Sequence, residues 1–143
     1  MIVIPKYFSL HELVCDHIYM KYGHQAFTFL DPRQVILMDW LRETINKPVY
    51  VNNYKWGGYQ TQSGVRCNLC QLVKDKTDNN EVYMSAHIQG QADDFSVKGM
   101  TADQVRNWLI KHKDKIPYNI RLEAYVKWVH MDCRDCGEKI YWF

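Results

Sequence analysis

The residues of this chain best suited to hold a metal lie in the run Ser85 to Asp94, SAHIQGQADD, and in a later run, Trp128 to Asp132, WVHMD. In the first run His87 and Asp94 flank Gly90, which permits a tight bend, and Ala92, which leaves room for a close neighbour. A loop that enters a strand at that bend can aim His87 and Asp94 at one point. Imidazole nitrogen and carboxylate oxygen both suit zinc at about 2.0–2.2 Å. In the second run Trp128, His130 and Asp132 share one face of a strand. His130 is then placed as a third ligand, with Asp132 beside it to orient a ligand histidine. Three protein ligands leave a fourth position on zinc for water, as catalysis requires. Taken singly, each residue also has an ordinary role: a histidine satisfied within a core, or an aspartate forming a turn.

The combination is more specific than its parts. Ser85, His87, Gly90, Ala92 and Asp94 fit S-x-H-x-x-G-x-A-x-D, which resembles the signature of the zinc D-alanyl-D-alanine carboxypeptidase superfamily. That group includes phage L-alanyl-D-glutamate endolysins and vancomycin-resistance D,D-dipeptidases. Ser63-Gly64-Val65-Arg66 is similar to the family's S-G-[YF]-R segment, with Val65 in place of the aromatic, and Trp128-Val129-His130 resembles its closing W-x-H. The resemblance covers roughly residues 30 to 135. It implies one zinc on His87, Asp94 and His130, and the small α+β peptidase fold shared with Hedgehog signalling domains. The implied activity is hydrolysis of a peptide bond in bacterial cell-wall peptides, of the D,D-carboxypeptidase or phage endolysin type.

Such a reaction needs a base that takes a proton from the attacking water and returns it to the leaving amine. Many relatives carry an acid three positions before the last histidine. Lys127 stands there and cannot serve while protonated. Glu123 is the best replacement: it ends the preceding strand, a hairpin can fold it back, and a subgroup with the pattern E…W-x-H resembles this arrangement. Asp132 is the second candidate, although orienting a histidine suits it better. Arg66 is assigned a substrate role by the resemblance, because its planar fork binds carboxylates and carbonyls in pairs of hydrogen bonds. The ordinary alternatives are a surface glutamate and a structural ion pair.

Five cysteines are present: Cys15, Cys67, Cys70, Cys133 and Cys136. An odd number without a secretory leader argues against a disulfide framework. Cys67-x-x-Cys70 and Cys133-x-x-Cys136 suggest a second, four-cysteine zinc, but the gap between the pairs far exceeds the usual ~15–20 residues. The plainer reading makes Cys133 a buried strand residue and Cys70 a small hydrophobe. His11, His17, His24 and His112 fall in or beside predicted helices and are read as surface or packing residues. Tyr54, Trp56 and Tyr59 precede Arg66 and are candidates for lining its cleft.

Three helix starts position these groups. Ser9 with Glu12 is a capping box that predicts a helix through about Tyr22. Asp31 followed by Pro32 predicts a helix carrying Val35, Met38, Leu41 and Ile45 at helical spacing and ending before Pro48. Thr101 with Gln104 opens a third, with Val105, Trp108 and Leu109 inward. Val49 to Val51 and Ala92 to Val97 read as strands, and residues 120–123, 128–132 and 139–142 as a C-terminal antiparallel meander. Between Asn52 and Ser85 the chain reads as long loops around one short helix, a common frame for a site. Helices first and strands later favour α+β, a small antiparallel sheet with helices on one face, as one zinc-peptidase domain over residues 1–143.

The bulk properties exclude some classes. Apolar residues make up 47% and charged residues 24%, a globular balance for one core. A net charge of +2 is too small to argue for nucleic acid. No apolar run reaches the ~18 residues of a membrane span, and MIVIPKYFSLHE lacks the features of a secretory signal. The expectation is a monomer, cytoplasmic as synthesised and acting on the wall when released. The competing class is a zinc-binding module without turnover, such as a phage virion component.

Overall fold

The computed structural model describes residues 1–143, with all three helix starts where the sequence predicts them and one helix divided. Glu12 accepts the Ser9 backbone N–H at 2.8 Å, and α1 runs from Leu10 to Leu13. The chain then turns extended at Val14 and Cys15 before α2, Asp16–Tyr22. The cause is a tertiary pairing. Val14 bridges Val65 in parallel, the Cys15 N–H donates to the Val65 carbonyl at 2.9 Å, and the Val65 N–H donates to Leu13 at 2.8 Å. Those bonds use backbone groups that one continuous helix would have used internally. A seven-residue 3₁₀ segment, Gly23–Phe29, follows.

Asp31 caps α3, Pro32–Ile45, by accepting the Arg33 N–H at 2.9 Å, and Asn46 ends it in the left-handed conformation. The short helix expected among the loops is α4, Gln71–Asp78. The third capping box opens α5, Ala102–Lys111, with Thr101 and Gln104 each bonded to the other's backbone.

The strands are β1 Val49–Tyr50, β2 Ala92–Val97, β3 Ile120–Leu122, β4 Val129–Asp132 and β5 Ile140–Trp142, in the order β1-β2-β4-β3-β5. The class is α+β, as expected. The sheet is mixed, however: β5 lies parallel to β3, with Ile120 beside Ile140, so the C-terminal strands do not form a simple antiparallel meander. Both edges of β4 are already taken, by β2 and β3. The strand returning from β4 seats on the outer edge of β3, and its reversed direction makes that pairing parallel.

Strand alternation separates two chemistries. Asp93 opposes Met131, Phe95 opposes Val129 and Leu122 opposes Met131 on one face. The apolar members of that face join Leu37, Met38, Leu41 and Ile45 of α3 and Val105 and Leu109 of α5 in the main core. Burying a side chain such as Leu37 or Leu109 contributes about 1.5–3 kcal/mol. On the other face Asp94 opposes His130, and both Ala92 and Arg121 oppose Asp132. A smaller core, with Leu10, Val14, Cys15, Val65 and Cys70, joins the N-terminal helices to the loop after Ser63. No helix is long and apolar enough to cross a membrane.

Gly90 makes the bend between His87 and Asp94, at φ +70°, and a Cβ there would lie 1.8 Å from the Phe29 carbonyl oxygen. Backbone strain and overlap with a main-chain atom both oppose any side chain. Gly90→Ala is expected to lose about 2–4 kcal/mol of unfolding free energy in urea titration; a loss below about 0.5 kcal/mol would show that the bend tolerates a Cβ.

Candidate metal centre and its cleft

Three elements bring the ligand atoms together. Asp94 and His130 are cross-strand neighbours on β2 and β4, and His87 enters from the turn before β2. The His87 Nδ1–H donates to the Gly64 carbonyl at 2.9 Å, which leaves Nε2 with its lone pair toward the cluster. His87 Nε2 lies 3.3 Å from His130 Nδ1 and 3.3 Å from Asp94 Oδ1, and the last two atoms are 2.9 Å apart. An ion bound tetrahedrally at about 2.0–2.1 Å separates its ligand atoms by roughly 3.3–3.5 Å. The triangle of donor atoms therefore fits a divalent ion with only a small outward shift. One carboxylate and two imidazoles form a donor set that zinc accepts.

Protons and hydrogen bonds hold this cluster together. Burial lowers the proton affinity of His87. Burial also works against protonation of His130, but bonds to Asp132 and Asp94 outweigh it and raise the imidazole to about 9. For Asp94, burial favours the neutral acid, while bonds from His130 and His87 overcome that and hold it well below the usual carboxylate range. An ion bound at this point would have to replace the proton between His130 and Asp94.

Each ligand is itself braced. His130 Nε2 meets Asp132 Oδ2 at 2.8 Å, the arrangement that fixes a ligand histidine's ring and raises its basicity. Asp132 is 0% exposed, and Arg121 grips it with both Nε and Nη2 at 2.8 Å. The Arg134 backbone N–H adds a further bond. With both oxygens engaged, Asp132 suits orientation of His130 and is poorly placed to shuttle protons. Burial pushes Asp132 up, and the bonds from His130 and Arg121 pull it below its ordinary value.

Arg66, 9% exposed, donates Nε–H to the Gln62 carbonyl, Nη1–H to the Tyr83 hydroxyl and Nη2–H to Asp94 Oδ2 at 3.1 Å. It thus makes the ion pair that the sequence offers as its ordinary reading. The same side chain also lines the cleft over the ligands.

That cleft has a volume of about 520 Å³, and its lining includes His87, Asp94, His130, Arg66 and Glu123. Glu123 follows β3, and its backbone N–H donates to the His130 carbonyl. Lys127 lines a neighbouring depression beside Asp94 instead. Tyr54, Trp56 and Tyr59 do not line the main cleft. Tyr54 donates its hydroxyl to the Val14 carbonyl, while Trp56 and Tyr59 are exposed. The residues that sequence reasoning missed are Tyr83, Arg121 and the Gly64 carbonyl. Arg121 alone left a trace, as a charge inside the apolar strand run Ile120–Leu122.

The cysteines regroup. Cys133 is buried in the main core, as the plainer reading has it, and Cys136 donates its single S–H to the Glu138 carbonyl just before β5. Neither joins Cys67 and Cys70, so the four-cysteine site is not formed. Those two cysteines gather with Cys15 and with His17, which is exposed as the sequence reading has it but also turns its ring toward the sulfurs. His11 and His112 do pack, against Tyr19 and Trp108.

No protein-family model, no curated protein and no solved structure matches the chain.

His87→Ala is expected to abolish tight metal binding at this cluster, read by competition with a chromophoric chelator; unchanged affinity there would remove His87 from the ligand set. Asp132→Asn keeps the shape but removes the charge that fixes His130, and should weaken metal affinity by roughly 10–100-fold in the same titration.

Proposed function

We propose that the chain is a zinc-dependent peptidase of the D-alanyl-D-alanine carboxypeptidase and L-alanyl-D-glutamate endolysin type, acting on peptides of the bacterial cell wall. The observation that carries this reading is the convergence of His87 Nε2, His130 Nδ1 and Asp94 Oδ1 at metal-ligand spacing, in a cleft that also holds a carboxylate. The motif order of Ser63–Arg66, Ser85–Asp94 and Trp128–His130 supports the family. The cleft wall also carries Arg134, whose side chain has no carboxylate partner and is placed to meet a carboxylate of the substrate.

Zinc, when bound, polarises the scissile carbonyl and acidifies water. The protein's own groups do the rest. Glu123 takes the proton from the attacking water and delivers it to the departing amine. Arg66 has three of its five N–H groups engaged by protein, so two remain to hold a substrate carboxylate or carbonyl. Asp132 and Arg121 keep His130 in one orientation, and the Gly64 carbonyl does the same for His87. Loss of turnover with retention of zinc, as in a virion module, is the alternative. The lysine at position 127 is the residue that favours it.

Amine release from purified peptidoglycan, with and without a chelator, decides between the two; no chelator-sensitive release would favour the non-catalytic module. Glu123→Gln should keep zinc and lower the rate by about 10²–10⁴-fold. The loss should fall mainly on kcat, because the shuttle acts in the transition state. A silent Glu123→Gln beside an inactive, zinc-loaded Asp132→Asn would reverse the two roles. Arg66→Lys should retain the metal yet lower kcat/KM at least about tenfold, since a point charge cannot reproduce a fork.

A further inference from the structure

The cysteines left over from the peptidase cleft converge at a different place. Cys15 sits in the break between α1 and α2, His17 lies in the first turn of α2, Cys67 follows directly on Arg66, and Cys70 caps α4. The ligand atoms of these four residues all lie within 4.8 Å of one another. We propose that Cys15, His17, Cys67 and Cys70 form a second metal site, a structural one that takes a thiophilic divalent ion, zinc in the first instance. This proposal does not depend on the peptidase reading.

The geometry is that of a closed tetrahedral site. Zinc bound to sulfur at about 2.3 Å and to nitrogen at about 2.0–2.1 Å sets sulfur–nitrogen separations of roughly 3.6 Å. Cys67 Sγ lies 3.7 Å from His17 Nδ1, and Cys70 Sγ lies 4.0 Å from it. Three thiolates and one imidazole fill all four positions, which is the composition of a structural centre and leaves no room for a reacting water. The Cys67-x-x-Cys70 turn is already folded as such a centre needs. The Cys70 N–H donates to the Cys67 carbonyl at 3.1 Å. The Leu69 N–H points at Cys67 Sγ, at 3.3 Å, and the Cys67 N–H at Cys70 Sγ, at 3.4 Å. Backbone donors aimed at sulfur stabilise thiolates.

Neither a disulfide, nor apolar burial, nor an ion pair gathers all four side chains. All five cysteines are free thiols, and a disulfide would use two of the three clustered here and leave the third with the imidazole. Apolar burial accounts for Cys15 and Cys70, both fully buried, but not for the half-buried Cys67 or the exposed His17 aimed at the same point. Asp16 Oδ1 is the one neighbouring anion, 3.6 Å from His17 Nδ1. An ion pair with it would orient His17 but would not bring three sulfurs together.

The position of the site gives it a task. Val14 and Val65 are paired beside it, and Gly64 sits so close that a Cβ would lie 2.2 Å from the Leu13 carbonyl oxygen. Gly64 holds His87, and Arg66 holds Asp94. An ion across Cys15, His17, Cys67 and Cys70 therefore fastens the N-terminal helices to the segment that positions the first metal centre.

The test is metal content and spectroscopy of the full chain. Zinc-loaded wild type should carry two equivalents, His87→Ala one, and the double variant Cys67→Ser, Cys70→Ser one. Cobalt(II) loading should give intense near-ultraviolet thiolate-to-cobalt charge transfer that persists in His87→Ala and disappears in the cysteine variant. Asp16→Asn should leave that band unchanged. In wild type, which needs no substitution to fold, alkylation should spare the half-buried Cys67 when zinc is present and reach it after chelation. A cobalt-loaded wild type without thiolate–cobalt absorption, or a wild type whose Cys67 is equally reactive in zinc and in chelator, overturns the site.

Discussion

The contact between Asp94 and His130 is the interaction on which the other features of the cleft depend. Two strands place a carboxylate and an imidazole directly opposite one another, both largely buried, at 2.9 Å. Charges removed from water are costly unless every remaining polar atom is satisfied. The neighbourhood meets that demand through one connected network. Asp132 holds the far nitrogen of His130, Arg121 neutralises Asp132, Arg66 holds the second oxygen of Asp94, and Gly64 anchors His87. A divalent ion suits this network because it concentrates positive charge where three electron-pair donors already converge.

The candidate metal cluster was legible because part of it is local. His87, Gly90 and Asp94 lie in one short run, and a glycine between two ligands signals a bend whatever the tertiary structure. The Asp31–Pro32 and Thr101–Gln104 starts depend only on neighbouring backbone groups, and both hold in the fold. The α+β class followed from the order of such elements. Asp132 was legible as a partner of His130 because strand alternation fixes which neighbours share a face.

The misreadings all come from contacts between distant segments. The helix expected through Tyr22 breaks because Val65, far along the chain, competes for the backbone at Val14 and Cys15. The parallel placement of β5 depends on which sheet edges are free, a property of the assembled sheet. Spacing suggested pairing two CxxC motifs, whereas proximity joins one of them to Cys15 and His17, residues set at the helix break that sequence reasoning did not foresee. Arg121 matters only because β3 and β4 align it with Asp132.

The separation of the two sheet faces also bears on fidelity of folding. Side chains alternate with a period of two, so a shift of β4 against β2 by one residue would exchange their faces wholesale. His130 and Asp132 would turn into the space filled by leucines, while Val129 and Met131 would turn outward. Such a misaligned state loses the apolar core and strands buried charge at the same moment, so the two penalties reinforce one another. The strand register that brings Asp94 and His130 together is thus also the register that the hydrophobic effect favours.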